Sequence, residues 1–227
     1  MEMIKAENLV KVYGKGENTV AAVNDISITI KAGEFVSIIG PSGSGKSTLL
    51  HMLGGLDKPT SGSININNAN IYELPEKELS VFRRRHFGFV FQLYNLVPVL
   101  TVEENITLPL LLDNRPVDKE YIEELLNMLG LSDRRRHLPN QLSGGQQQRV
   151  AIGRALANKP SILFADEPTG NLDTATGIEV MNLLQMSIKK YHQSLVMITH
   201  DAKIADYANR IIEIGDGKIK QDRVVKA

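Results

Sequence analysis

The run Gly40-Pro41-Ser42-Gly43-Ser44-Gly45-Lys46-Ser47-Thr48 constrains this 227-residue chain more than any other stretch. It follows a short apolar run, Phe35-Val36-Ser37-Ile38-Ile39, and leads into Leu49-Leu50-His51-Met52-Leu53. That order is buried strand, glycine loop, helix, the start of an α/β fold. Glycines let the backbone curl tightly and turn several N–H groups inward, where side chains would otherwise stand in the way. The helix start adds unpaired donors and a partial positive charge. Such a cradle suits the phosphates of a nucleotide. The expected contacts come from Gly40, Ser42, Gly43, Ser44, Gly45 and Thr48, with Lys46 reaching the β- and γ-phosphates and the Ser47 hydroxyl able to ligate Mg²⁺.

A phosphate cradle leaves the use of the nucleotide open, and the second half of the chain narrows it. Ser161-Ile162-Leu163-Phe164-Ala165-Asp166-Glu167 reads as an apolar strand ending in two carboxylates, where open α/β sheets place their ligands. Asp166 suits the Mg²⁺ shell, directly or through water. Glu167 is then free to polarise an attacking water. Capping of the turn at Pro168 is the plainer use of both acids, and the glycine loop elsewhere in the chain weighs against it. Leu142-Ser143-Gly144-Gly145-Gln146 opens a further helix, in which Val150, Ile152, Ala155 and Leu156 form a largely apolar stripe. Ser143 is a good N-cap. Two glycines just inside it lower helix propensity, which makes sense where something must approach the backbone closely. This is a second phosphate-ready helix start.

Taken in this order, Gly40–Thr48, Leu142–Gln146 and Ile162–Glu167 resemble the ATP-binding subunit of an ABC transporter, over essentially the full length of the chain. The resemblance implies a single ABC ATPase domain over 1–227: an α/β P-loop nucleoside-triphosphatase core, with a mixed sheet, flanking helices and an antiparallel β portion. It implies ATP and Mg²⁺ as cofactors. Gln92 matches the glutamine that joins the Mg²⁺ shell and senses the γ-phosphate, and His200 the switch histidine that contacts it. Asn171-Leu172-Asp173 matches the loop that crosses between subunits. Tyr13 sits where the family stacks an aromatic ring on adenine, although an aromatic beside Gly14 also fits packing at a turn.

In the family, the glycine loop of one subunit and the Ser-Gly-Gly helix of another enclose the same ATP. Ser143, Gly144, Gly145, Gln146 and Asp173 are therefore expected against a nucleotide held by a second copy, in a head-to-tail homodimer. Leu93–Ile106 lines the groove that receives a short helix of the membrane subunit in relatives; Leu96, Leu100 and Ile106 also suit packing within the subdomain. Together with Asp166–Asp173, this stretch is similar to the lipoprotein-releasing and macrolide-export branch (LolD/MacB-type), which some antimicrobial-peptide exporters share. The implied function is ATP hydrolysis that powers a separate integral membrane permease. Its cargo would be an amphipathic substrate, exported or extracted: an antimicrobial peptide, a macrolide or a lipoprotein. A periplasmic or extracellular accessory protein is a further expected partner. The alternative is a permease-like partner in cell division that transports nothing. Gln147 and Asn171 depart from common residues of the family, and neither departure removes a group the chemistry needs.

Organisation and composition agree with this. Residues 1–91 are strand-rich, with Val23, Ile26, Ile28 and Ile30 suggesting an alternating strand. From 93 to 158 the strand signal gives way to helices at Val102–Leu112, Glu120–Leu129 and Ser143–Leu156. This reads as a helical subdomain inserted in a core of 1–92 and 159–227. Strand and helix alternate again afterwards, ending in Ile211–Ile214 and a Gly217-Lys218-Ile219 turn and strand. Lysine plus arginine balance aspartate plus glutamate at 26 each, so no field favours nucleic acid, and none is expected as a partner. Ribosome-associated relatives usually carry two ATP modules or a long coiled-coil insertion, and a small-molecule kinase would not explain Leu142–Gln146. The triplets Arg83–Arg85 and Arg134–Arg136 read as solvated helix faces, with a partner or anionic headgroups as the rival. There is no cysteine, so disulfides and thiolate metal sites are excluded. No charged leader opens the chain and no run of about 18 apolar residues occurs. The expected location is cytoplasmic, peripheral on the inner face of the membrane.

Overall fold

The computed structural model describes residues 2–225. Its strands are β1 (Glu2–Tyr13), β2 (Val20–Lys31), β3 (Phe35–Ile39), β4 (Ser61–Ile66), β5 (Ala69–Asn70), β6 (Phe87–Phe91), β7 (Ile162–Asp166), β8 (Ser194–Ile198), β9 (Arg210–Gly215) and β10 (Lys218–Val224). Its helices are α1 (Lys46–Leu53), α2 (Glu76–His86), α3 (Val102–Leu112), α4 (Lys119–Met128), α5 (Gly144–Leu156), α6 (Thr174–Tyr191) and α7 (Ala202–Ala205). Contacts divide the chain into two units, Met1–Arg83 with Ser194–Ala227, and Arg84–Gln193.

In the first unit, β2, β1, β4 and β5 form an antiparallel sheet in that order. Val23, Ile26, Ile28 and Ile30 are all buried, and each such side chain contributes about 1.5–3 kcal/mol by leaving water. The step from Val23 to Ile26 breaks the two-residue period of a strand. Asp25 absorbs it in a left-handed conformation (φ 60°), where the β1–β2 register also shifts. The unit's other strands run β10-β9-β3-β8. β3 is parallel to both β8 and β9, and β10 returns antiparallel to β9. Phe35–Ile38 are buried without a break, which is why β3 reads as a continuous apolar run.

In the second unit β6 and β7 are parallel, with Phe91 opposite Asp166. Phe89 stacks on Phe91 and Phe164, and Phe87 meets Phe164 edge-on at 5.3 Å between centroids. Gly88 lets α5 lie directly on β6: a Cβ there would stand 2.4 Å from the Ala155 carbonyl oxygen. The helix starts have specific causes. Thr101 and Ser143 close capping boxes with Glu104 and Gln146, while Asp118 and Asp173 cap α4 and α6. The helices expected at Val102–Leu112, Glu120–Leu129 and Ser143–Leu156 appear within a residue at each end, and among the described residues no strand lies in 93–158.

Two features differ from expectation. α2 buries only Leu79, so it has no apolar stripe to read. The arginine triplets are not simply solvated faces. Arg84 and Arg85 pair with Asp113, and Arg83 donates to the Gly55 carbonyl. Arg134 ends a 3-10 turn rather than lying on an α-helix, and Arg135 joins Glu103 of α3 to Glu123 of α4. The whole is a mixed α/β fold with an antiparallel portion. No described helix is long and apolar enough to cross a membrane.

Candidate nucleotide site

β3 delivers the glycine loop, and packing fixes its shape. Gly40 (φ 150°) and Gly45 (φ 100°) each leave no room for a Cβ, which would lie 2.0 Å from the carbonyl oxygens of Ile214 and Ala22 respectively. Ser44 accepts from the Gly217 N–H at 3.1 Å, and Gly217 accepts from Asn24 N–H at 2.8 Å, so the β9–β10 turn pins the loop to β2. Lys46 is 8% exposed, and its Nζ bends back to donate to the carbonyls of Gly40 (3.0 Å) and Pro41 (2.7 Å). Gly45 stands at the N-cap of α1, which has no side-chain cap. Its first-turn N–H groups are therefore available to an anion. Ser44 is buried, and its Oγ has no hydrogen-bond partner among the described residues. A phosphate oxygen would satisfy such a group. Ser42 and Ser47 are exposed and Thr48 is half-buried.

The same unit carries Tyr13 and His200. Tyr13 closes β1 and is 44% exposed. Its hydroxyl donates to Asp57, the carboxylate that also binds Lys11, and the Lys11 Nζ stands 5.0 Å from the ring centroid. Partial burial and then the Asp57 hydrogen bond push the Tyr13 hydroxyl above its ordinary range. Burial alone would raise Asp57; the hydrogen bonds from Lys11 and Tyr13 outweigh it and hold the carboxyl below the usual carboxylate range. The ring is thus anchored by its hydroxyl while part of it stays in solvent. His200 is exposed, after β8 and the buried Thr199, whose hydroxyl accepts from the Asp201 N–H.

In the second unit, strand register places Asp166 opposite Phe91, one residue before Gln92. Glu167 follows in a left-handed conformation (φ 47°), which strains a side-chain-bearing residue by roughly 1–2 kcal/mol. The turn is tied by Gly170 N–H to the Glu167 carbonyl at 3.0 Å and Leu172 N–H to the Thr169 carbonyl at 3.1 Å. Gln92 and Asn171 clasp each other. Gln92 Nε2 donates to Asn171 Oδ1 at 3.2 Å, and Asn171 Nδ2 donates to the Gln92 carbonyl at 3.0 Å. This uses the nitrogen end of the Gln92 amide and leaves Oε1 as the atom a cation could take.

At the start of α5, Ser143 Oγ accepts from Gln146 N–H and Gln146 Oε1 accepts from Ser143 N–H. The two glycines inside this cap answer contacts within the chain. A Cβ at Gly145 would stand 2.4 Å from Thr176 Cγ2, and one at Gly144 would stand 2.8 Å from the Tyr94 hydroxyl. Asp173 accepts from both the N–H and the hydroxyl of Thr176, which hold its carboxyl below the usual range. The starts of α5 and α6, with the Asn171–Asp173 loop, thus form one cluster. Arg154, later on α5, donates to the carbonyls of Tyr94 and Asn95 and anchors the stretch after Gln92.

Two residues of this unit escape a reading of the sequence. Asn105 is fully buried and bonds to Val97, Leu100 and Thr101, holding the loop before α3. Gln148 is fully buried under the Glu167 turn and donates to the Pro168 carbonyl at 2.6 Å. The available signal was a polar residue on a buried helix face, four residues before Ile152.

Residues 23–170 match the family described as ABC transporter. The chain is 46% identical to an uncharacterised ABC transporter ATP-binding protein of Methanocaldococcus jannaschii, MJ0796, covering 99% of this chain and 98% of that protein. It is 48% identical to the macrolide export ATP-binding/permease protein MacB of Aggregatibacter actinomycetemcomitans, covering 98% of this chain but 35% of the relative. A dimeric structure of MJ0796 in a post-hydrolysis state, bound to ADP and Pi, superposes with a TM-score of 0.90 at 45% identity, covering 99% of this chain and all of that one. The fold, the glycine loop and these likenesses agree: the chain belongs to the ATP-binding family of ABC transporters and is an ABC-type ATPase domain.

Proposed function

We propose that this ATPase powers a separate membrane permease that exports or extracts an amphipathic substrate, an antimicrobial peptide, macrolide or lipoprotein. The observation that carries this reading is the likeness to MacB, in which a module 48% identical to this chain makes up about a third of a protein named for macrolide export and a permease. The working form is a head-to-tail homodimer with two ATP molecules between protomers, lying against the inner face of the membrane. An accessory protein outside the membrane would complete the assembly. The nucleotide-binding core is 1–92 with 159–227, and 93–158 is the helical subdomain.

Each site residue has a role in this reading. Tyr13 stacks on adenine. The loop from Gly40 to Thr48 holds the phosphates, and Lys46 exchanges its two loop carbonyls for β- and γ-phosphate oxygens. Ser47, Asp166 and Gln92 offer a hydroxyl, a carboxylate and an amide oxygen, a small set of hard donors that suits Mg²⁺ bound mainly by phosphate and water. When bound, that ion offsets phosphate charge. Glu167 accepts a proton from the attacking water, and His200 orients the γ-phosphate. Ser143, Gly144, Gly145, Gln146 and Asp173 meet the nucleotide of the partner protomer.

The test is Glu167→Gln. Removing a positioned general base slows turnover by about 10²–10⁴-fold, so this variant should form an ATP-dependent dimer that persists in size-exclusion chromatography. A permease should co-purify with it from the native membrane. Unchanged turnover would remove Glu167 from its role, and a trapped complex holding ribosomes or DNA in place of a membrane protein would sink the transport reading.

A further inference from the structure

Gln148 lies within the first half of α5 and none of it reaches solvent. Its Nε2 donates to the Pro168 carbonyl at 2.6 Å and approaches the Phe91 carbonyl at 3.4 Å. Both partners can only accept, so the nitrogen end of the amide must face them. The other end is unmet: Oε1 is buried with no hydrogen-bond partner among the described residues. An apolar side chain of the same size would bury no unmet oxygen. What glutamine supplies here is therefore the N–H pair to two particular carbonyls. Those carbonyls adjoin two of the residues assigned to chemistry in this unit. The Phe91 carbonyl belongs to the peptide leading into Gln92, and Pro168 follows Glu167. Glu167 holds a left-handed conformation (φ 47°), which persists only where its surroundings over-determine it. The Gly170 N–H on the Glu167 carbonyl and Gln148 on the next carbonyl supply that constraint.

We propose that Gln148 is a positioning residue that couples the Ser143–Gln146 helix start to the Glu167 turn of the same protomer. The coupling rests on the sandwich-dimer reading above. In that dimer, the start of α5 meets the partner's nucleotide while Glu167 serves the nucleotide of its own protomer. One helix, one amide and one strained turn then connect the two ATP sites. Closure on one nucleotide fixes the base for the other.

The test uses purified chain with Gln148→Met, which keeps length and volume and removes the donor. We expect kcat to fall about 10- to 100-fold, as for a small misplacement of a reacting group. KM should stay within about twofold. Placed in the Glu167→Gln background, Gln148→Met should leave the ATP-driven dimer within about threefold of its stability, since it acts through a base already removed. Gln148→Asn keeps an amide but falls a methylene short of both carbonyls, and repeats the measurement if the Met variant does not fold. Turnover like that of the unsubstituted chain would overturn the coupling. Loss of the dimer in the Glu167→Gln background would also overturn it, because Gln148 would then merely support α5. If Glu167→Gln alone gives no ATP-dependent dimer, it is the sandwich reading that fails.

Discussion

Two helix starts in this chain suit phosphate, and they are built in opposite ways. α1 begins at Gly45, with no side-chain cap and glycines whose positive φ angles aim the backbone inward. α5 begins at Ser143, with a closed capping box and no glycine at positive φ. The first therefore keeps its donors for a ligand, while the second has partners for the Ser143 and Gln146 N–H groups before any ligand arrives and keeps those of Gly144 and Gly145. An anion at α5 must compete with the Gln146 side chain for the Ser143 N–H. Under the proposed sandwich dimer, this difference predicts an order: nucleotide binds first at the glycine loop, and the second contact is gained when two protomers meet.

The comparison breaks most visibly at the glycines. Gly45→Ala must move its Cβ away from the Ala22 carbonyl and adopt an unfavourable φ. Monomer affinity for a fluorescent ATP analogue should fall by at least about 100-fold, the loss of several cradle hydrogen bonds at once. Gly144→Ala displaces only the far end of the Tyr94 side chain. It should leave monomer affinity within about twofold and weaken the ATP-dependent dimer by about tenfold, on the scale of one lost close contact. Equal losses of ATP binding in both variants would show that the two starts are not distinct.

A smaller effect sharpens the order of events. Ser143→Ala removes the cap of α5 and should lower stability by about 1 kcal/mol, a melting shift of roughly 2–4 °C in calorimetry. Dimerisation should weaken while monomer ATP affinity holds. The smallest effect belongs to the Tyr13 hydroxyl. Tyr13→Ala should reduce ATP affinity by about tenfold, a stacking contribution. Tyr13→Phe keeps the ring and loses the Asp57 bond, so isothermal titration should show a change under about threefold. A large loss in the Phe variant would mean that the hydroxyl anchor, rather than stacking, matters.

The same contrast explains what the sequence made legible. The glycine loop declares itself because strand, loop and helix follow one another locally, even though the carbonyls that crowd Gly40 and Gly45, Ile214 and Ala22, lie far away in sequence. The alternating and helical apolar patterns likewise named β2, α3, α4 and α5. What stayed hidden depends on residues distant in sequence. Gly145 answers to Thr176, Gln92 to Asn171, and Gln148 to Phe91 and Pro168. A polar residue on a buried face signals that a partner exists without naming it. α2 was invisible for a different reason, since it buries a single leucine and so carries no period.

The contact between Gly145 and Thr176 reaches beyond this one molecule. The two positions compete for the same volume, since a single added carbon at 145 would stand 2.4 Å from the threonine methyl. Across related sequences, a bulkier residue at 145 should be found only with a smaller one at 176. Gly145→Ala paired with Thr176→Ser should accordingly recover part of what Gly145→Ala alone loses, making these starts of α5 and α6 one inherited unit rather than two.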